Sequence, residues 1–189
     1  MIKHYRPVAF FLEGIGDKNY FMGDIKHLQG SEAIDKMKEM VKSIDTCMFC
    51  TDVDKLPFPT RPMSAQQVDD EGNFWFFSSK SSHKNHEINA DNKVQLIFAN
   101  PGKTDYLSVY GKATTLYDKT KVDELWNPFI KTWFQEGKDD PDLTLIKVTP
   151  EESYYWDTKD GRLVTLLKIA AGAIAGKEMD GSVEGKMNV

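Results

Sequence analysis

Three stretches of this 189-residue chain hold side chains whose types and spacing could do chemistry. The first is Cys47-Met48-Phe49-Cys50, where the two cysteines of the chain take the C-x-x-C spacing of dithiol redox enzymes and metal knuckles. The redox form works because its first cysteine opens a helix, whose dipole stabilises the thiolate. Here the pair follows a helical pattern and lies in a strand-like run. In a strand, residues three apart are separated by ~10 Å and point to opposite faces. A disulfide needs Cα atoms within about 7 Å, and a zinc knuckle needs a second pair of ligands. The pair therefore reads as two small buried residues of a core strand.

The second stretch is His83-Lys84-Asn85-His86-Glu87. Two histidines three apart on a short helix suggest a metal, but the order matches neither H-E-x-x-H nor its inverse, and a lysine between them disfavours a cation. No metal is expected. The third is SSKSSHK, residues 78–84, with four hydroxyls and three basic or potentially basic groups where a strand hands over to a helix. Exposed amides and the dipole at a helix N-terminus favour an anion, and serine and lysine side chains add donors. The bland alternative is a solvated, serine-rich turn that only caps the helix. Arg61, in TRPM on the expected hairpin mate, tips the balance, because its guanidinium could bind the same phosphate in bidentate fashion. Trp75, Phe76 and Phe77 offer flat apolar surface for a ring system, or simply barrel core.

The elements that must position these groups follow from local pattern. Ala33, Met37, Met40, Val41 and Ile44 recur at helical spacing in SEAIDKMKEMVKSI, with Ser31 placed as its cap and Glu32 and Asp35 in its first turn. TCMFCTDV is strand-like. Pro59 and Pro62 mark an edge or a bulged start. The turn 71–73 leads into FWFFSS, so 60–79 reads as a hairpin. A short helix over 81–91, the strand KVQLIFAN, and a long strand over 104–118 with a bulge at Gly111 come next. KTKVDELWNPFIKTWF is helical and broken near Pro128, and LTLIKVTPEESYYWDT reads as two closing strands around Pro150. Six or so short strands with helices at the corners predict a mainly β fold, a small barrel with helical additions. The expected organisation is an N-terminal extension over 1–30, a barrel domain over 31–175 and a mobile tail over 176–189. Met22 is a candidate true start.

Bulk composition narrows the function classes. Hydrophobic residues make up 40%, charged residues 28% and aromatics 12%, as in a globular domain with a full core. A net charge of −5 without a basic face excludes a protein that lives by neutralising nucleic-acid phosphates. No run reaches the ~18 apolar residues that cross a bilayer. The longest, residues 163–176, is interrupted by Lys168 and reads as a short helix. The apolar run VAFFL is too short for a secretory signal, so the cytoplasm is the expected compartment.

With those pieces in place, the chain resembles the pyridoxamine 5′-phosphate oxidase-related, FMN-binding split-barrel proteins, and within them the general stress protein 26 branch. The resemblance covers about residues 28–170. It rests on RPM at 61–63, G-x-x-W/F-F-x-S at 72–78, S-x-K-x-x-E-I at 82–88, Y-G-K-A at 110–113 and YYWD at 154–157. It implies a six-stranded antiparallel split barrel that forms a homodimer, with one FMN in each of two clefts between subunits. By similarity, Arg61 and Lys84 hold the FMN phosphate together with Ser78 and Ser82. Backbone groups of Pro62, Met63 and Ser64 lie along the flavin ring, and Phe77 joins Ser78 in cofactor binding. His83 stands where the true oxidases carry arginine, and Trp156 is an aromatic neighbour of the flavin.

The resemblance also implies chemistry carried by the flavin, which would take a hydride and pass electrons to oxygen or another acceptor. No side chain demands the role of general base, so none is assigned as catalytic. The Arg-rich C-terminal segment that grips pyridoxal phosphate in true oxidases is not recognisable, and Arg162 is the sole arginine after Arg61. Three readings stay open: an FMN-dependent oxidoreductase with an unknown small-molecule donor, a flavin store or sensor without turnover, and pyridoxamine phosphate oxidation itself. FAD in place of FMN is open as well.

Overall fold

The structure, a computed structural model, describes residues 24–158 and 182–189. Residues 1–23, the expected short helix at 163–176 and Arg162 lie outside the described residues. Six antiparallel strands form the barrel: β3 (Thr46–Cys50), β4 (Thr60–Ser64), β6 (Phe74–Ser79), β7 (Lys93–Asn100), β8 (Asp105–Leu116) and β9 (Leu143–Thr158). They are hydrogen-bonded in the order β4-β3-β7-β8-β9-β6, so β4 and β6 are the two ends of the curled sheet. This is the expected split barrel.

Four shorter or later strands enlarge it. β5 (Gln67–Val68) pairs with β6, and β10 (Ser182–Asn188) runs antiparallel to the second half of β9. β1 (Asp24–Ile25) and β2 (Leu28–Gln29) run parallel to β10. Two sequence boundaries are thereby corrected. Residues 182–188 are a sheet strand rather than part of a mobile tail, and residues 24–29 belong to the barrel rather than to an extension. The tail's Gly, Lys and Glu content hid an alternation that buries Val183, Gly185 and Met187 against the core. Gly185 has a further role. A Cβ there would meet the Lys26 carbonyl oxygen at 2.0 Å, so the N-terminal segment crosses β10 only because that atom is missing.

The hairpin expected over 60–79 is also corrected. Only its last part, β5 and β6 around Gly72, folds as a hairpin. β4 turns away to pair with β3, with Arg61 opposite Phe49 and Pro62 opposite Met48. The expected partner strand FWFFSS is taken by β9, with Phe76 opposite Ile146 and Ser78 opposite Thr144. The segment around Pro150 is one strand rather than two. A register shift at Tyr110/Gly111 absorbs the proline, and a Cβ at Gly111 would sit 2.3 Å from the Thr149 carbonyl oxygen.

The helix α1 (Ser31–Ile44) lays Ala33, Met37, Met40 and Val41 on the sheet. Its N-cap is Gly30, at a φ of 55, and Ser31 is the first helical residue rather than the cap. The barrel interior is aromatic: Phe49 meets Phe76 edge-on at 5.3 Å and Phe74 lies 5.9 Å from Phe98. β6 is buried on both faces, which explains its unbroken apolar run. Phe74 and Phe76 fill the barrel, while Trp75 and Phe77 pack outside it with Val122, Leu125, Ile130 and Phe134. That outer layer comes from α3 (Lys119–Leu125) and the short turn Ile130–Thr132. Cys47 and Cys50 are buried free thiols in β3. Burial, with a contribution from Cys50, pushes the Cys47 thiol up to about 12, so it is no thiolate at neutral pH. No helix among the described residues is long and apolar enough to cross a membrane.

Replacing Gly185 with alanine tests the crossing. The added methyl meets backbone, which cannot rotate away, so a loss of about 1–3 kcal/mol is expected. Amide exchange at Lys26, which donates to the Glu184 carbonyl, should accelerate with it. Unchanged melting and exchange would mean that residues 24–29 do not cross β10 at this point.

Candidate functional site

The gap between β4 and β6 opens because β4 can pair on one side only. Thr51 donates to the Pro59 carbonyl and Ala65 donates to the Asp45 carbonyl, so the odd-numbered residues 59 to 65 face β3. By alternation, Pro62 and Ser64 turn their backbone groups outward. Pro62 has no N–H to bind a further strand, the usual property of an edge. The two edges are joined near Gln66, whose amide donates to the Trp75 carbonyl, and separate toward Arg61 and Ser79. A cavity of about 600 Å³ fills the split. Its volume suits a ligand of cofactor size.

One wall is β4, with Arg61, Pro62, Met63 and Ser64, and the facing wall is Phe77, Ser78 and Ser79 of β6. Ile130, Trp133 and Phe134 supply an apolar third wall. Trp133 lines the cavity while remaining 70% exposed. Along the β4 edge, the Pro62 carbonyl is an outward acceptor. The Ser64 carbonyl already accepts from the Gln66 side chain at 3.0 Å, which leaves the Ser64 N–H as the outward donor beside it.

Two basic side chains, Arg61 and Lys84, gather at one end, with Glu87 and Asp142 close by. α2 (His83–Ala90) begins here, with Ser82 as its N-cap, and its first amides have no intrahelical acceptor. Lys84 lines the cavity, half-buried, and makes no hydrogen bond or ion pair with a described residue. Burial holds its pKa below the usual lysine value, and the Arg61 guanidinium adds to the effect against the pull of Asp142 and Glu87. Arg61 donates from Nη1 to Thr51 Oγ1 at 2.7 Å and from Nη2 to Glu87 Oε2 at 2.8 Å. Two cations thus share this end, and only one of them has a carboxylate.

The serine-rich turn divides its labour. Ser79, Ser81 and the Ser81 amide all donate to the Asp142 carboxylate, the amide at 2.8 Å, which holds the turn against the loop before β9. These bonds keep the Asp142 carboxyl below the usual carboxylate range. Ser78 is buried at the cavity and donates to Asn85 Oδ1 at 2.7 Å, a group that Ser82 approaches at 3.3 Å. An incoming anion, whose oxygens accept hydrogen bonds, would compete with Asn85 Oδ1 for both hydroxyls.

Of the residues singled out by sequence, Arg61, Pro62, Met63, Ser64, Phe77, Ser78 and Lys84 all line the one cavity. Ser82 stands one layer behind, through Asn85. His83 is exposed and does not line the cavity. Trp156 lies outside it too, on the outer face of β9, with its ring 4.6 Å from that of Tyr154. Sequence reasoning missed the wall formed by Ile130, Trp133 and Phe134, although the aromatic density of WNPFIKTWF was a usable signal. It also missed Asp142 and the tie between Thr51, Arg61 and Glu87. Nothing local marks Asp142, which lies 61 residues from Ser81.

Comparison with known proteins agrees with this architecture. General stress protein 26 of Bacillus subtilis is 33% identical over 78 residues, 40% of this chain and 55% of that protein. Protein bli-3 of Neurospora crassa is 26% identical over 110 residues, 54% of this chain and 53% of that protein. The chain thus spans about half the length of both relatives. A crystal structure described as a general stress protein 26 from Jannaschia sp. CCS1 superposes with a TM-score of 0.71 at 23% identity, covering 85% of this chain and 99% of that one. That likeness is one of fold. The general stress FMN/FAD binding protein of Xanthomonas citri gives a TM-score of 0.58 at 30% identity, over 67% of this chain and 89% of that one. Residues 32–180 match the family model described as pyridoxamine 5′-phosphate oxidase like, and the chain belongs to that family.

Proposed function

We propose that the protein binds a flavin mononucleotide in the split between β4 and β6 and acts as an FMN-dependent oxidoreductase of the general stress type. The observation that carries this reading is Lys84. A half-buried ammonium with no acceptor among the described residues, beside a second cation in a cavity, is costly unless an anion completes it. A phosphate fits the donors at hand: the Lys84 ammonium, the free Arg61 N–H groups, Ser78 and the first amides of α2. The outward Pro62 carbonyl and Ser64 N–H then face the polar edge of the ring, and Phe77, Phe134 and Trp133 cover its apolar part. When bound, the flavin supplies the two-electron chemistry. The chain's own residues anchor the phosphate, orient the ring and exclude water, and the FMN/FAD binding named for the Xanthomonas citri protein supports this use of the fold.

The proposal includes a homodimer. Met48 stands between Pro62 and Ile97 in register on the outer face of the sheet. Met48 and Ile97 are each 44% exposed, neighbouring large apolar groups that a second copy would cover, and Trp156, 41% exposed, lies two residues along β9 from the end of their row at Tyr154. A cytoplasmic location goes with this reading.

Titration with FMN, followed by quenching of flavin fluorescence, should show saturable binding. Replacing Arg61 with alanine should weaken it tenfold or more, for loss of a charge-assisted contact of about 1.5–3 kcal/mol. Unchanged affinity would move the phosphate elsewhere. A second expectation concerns pH. Lys84 binds phosphate only when protonated, and its pKa in the free protein lies below the ordinary lysine value. FMN affinity should therefore fall as pH rises through that lowered pKa, and Lys84→Met should abolish the alkaline fall. A wild-type profile identical to that of the variant would remove Lys84 from the phosphate site. Anaerobic mixing of the loaded protein with NADH or NADPH should bleach the flavin absorbance. Persistence of the colour with every donor tried would favour a flavin store or sensor.

A further inference from the structure

Arg61 does not stand alone at the phosphate end. Its two hydrogen bonds to Thr51 and Glu87 are closed into a ring by a third, because the Thr51 hydroxyl donates to the same Glu87 Oε2 at 2.6 Å. Thr51 is fully buried, and the Arg61 and Glu87 side chains are only 25% and 21% exposed. Three elements meet in this ring: Thr51 just after β3, Arg61 on β4 and Glu87 on α2. The planar fork carries five N–H donors, of which the ring takes two. The remaining three have no described partner, while Arg61 itself lines the cavity.

We propose that Glu87, acting with Thr51, is a positioning residue for the cofactor phosphate: it locks the Arg61 guanidinium so that the uncommitted donors are held ready at the cavity. The inference rests on the flavin reading above. It is not what net charge alone predicts. Glu87 is a carboxylate near the intended anion, so by Coulomb attraction its removal would tighten binding. Two effects oppose that. The site is partly exposed and screened. A freed arginine would also have to give up its rotamer freedom each time a phosphate bound, whereas a pre-oriented fork has already lost it. Orientation therefore outweighs charge at this site.

The test compares FMN with riboflavin, which carries the same ring without the phosphate, on the full chain. Glu87→Ala should weaken FMN about tenfold, the scale of a misplaced charge-assisted contact, and leave riboflavin affinity unchanged. Glu87→Gln, which keeps an acceptor for Arg61, should bind FMN within about threefold of the wild type, since the bond survives without its charge. Stronger FMN binding by Glu87→Ala would overturn the proposal, as would equal losses for both flavins or a Glu87→Gln protein as weak as the alanine variant. A readout without ligand separates this idea from the flavin reading. The Arg61 side-chain NMR signals should report hindered guanidinium rotation in the wild type and Glu87→Gln, and free rotation in Glu87→Ala. Hindered rotation without any FMN binding would sink the flavin reading and uphold the lock. Free rotation in the wild type would overturn the lock even if FMN binds.

Discussion

Along β4, the backbone groups of residues 59 to 65 are handed to β3 at every second position, and Pro62 has no N–H left to offer another strand. The sheet therefore has an edge it cannot close. β6, the other end of the curl, is committed to β9 on one side and to the short β5 on the other. Between them lies a gap with fixed walls, and everything distinctive about the molecule is arranged around it. The aromatic barrel core makes those walls rigid, since Phe49 and Phe76 lock β3 to β6 across the interior. An open edge is ordinarily a liability for a β protein. In this fold it becomes a place where a planar ligand can meet backbone donors and acceptors.

Charge explains which end of the gap does what. The helix N-terminus of α2, Lys84 and Arg61 converge on one end, while Asp142 is spent on holding the serine turn. Glu87 is spent on Arg61 and Thr51. Asp140 also lines the cavity and accepts from the Asp142 amide, while Lys84 makes no hydrogen bond or ion pair with a described residue. The opposite wall, built from Ile130, Trp133 and Phe134, carries no charge and gives the cavity its apolar half.

Much of this was legible in sequence where the signal is local. The helix Ser31–Ile44, the strand Lys93–Asn100 and the bulge at Gly111 follow from periodicity and from single residues with steric consequences. Arg61, Ser78 and Lys84 stand out by residue type alone, and the structure brings all three to one cavity. The C-x-x-C pair also resolved on local grounds, as two buried thiols in a strand. What was not legible depends on distant partners. β4 looked like the mate of β6 because they are neighbours in sequence, yet β3 and β9 claim them. β10 looked like a tail because its glycine and lysine obscure a period of two, and its place is set by β9 and by the crossing at Gly185. Trp156 was expected at the flavin on family grounds, and the structure puts it outside the cavity, on the outer face of β9 beside Tyr154.

The account turns on one claim, that the split between β4 and β6 is a flavin site whose phosphate end is Arg61 and Lys84. A crystal structure of the protein grown with FMN tests it most directly. The account predicts the phosphate within hydrogen-bonding distance of Arg61, Lys84 and Ser78, with the ring edge along Pro62 and Ser64. A flavin bound elsewhere, with Arg61 and Lys84 left facing an unfilled cleft, would contradict it.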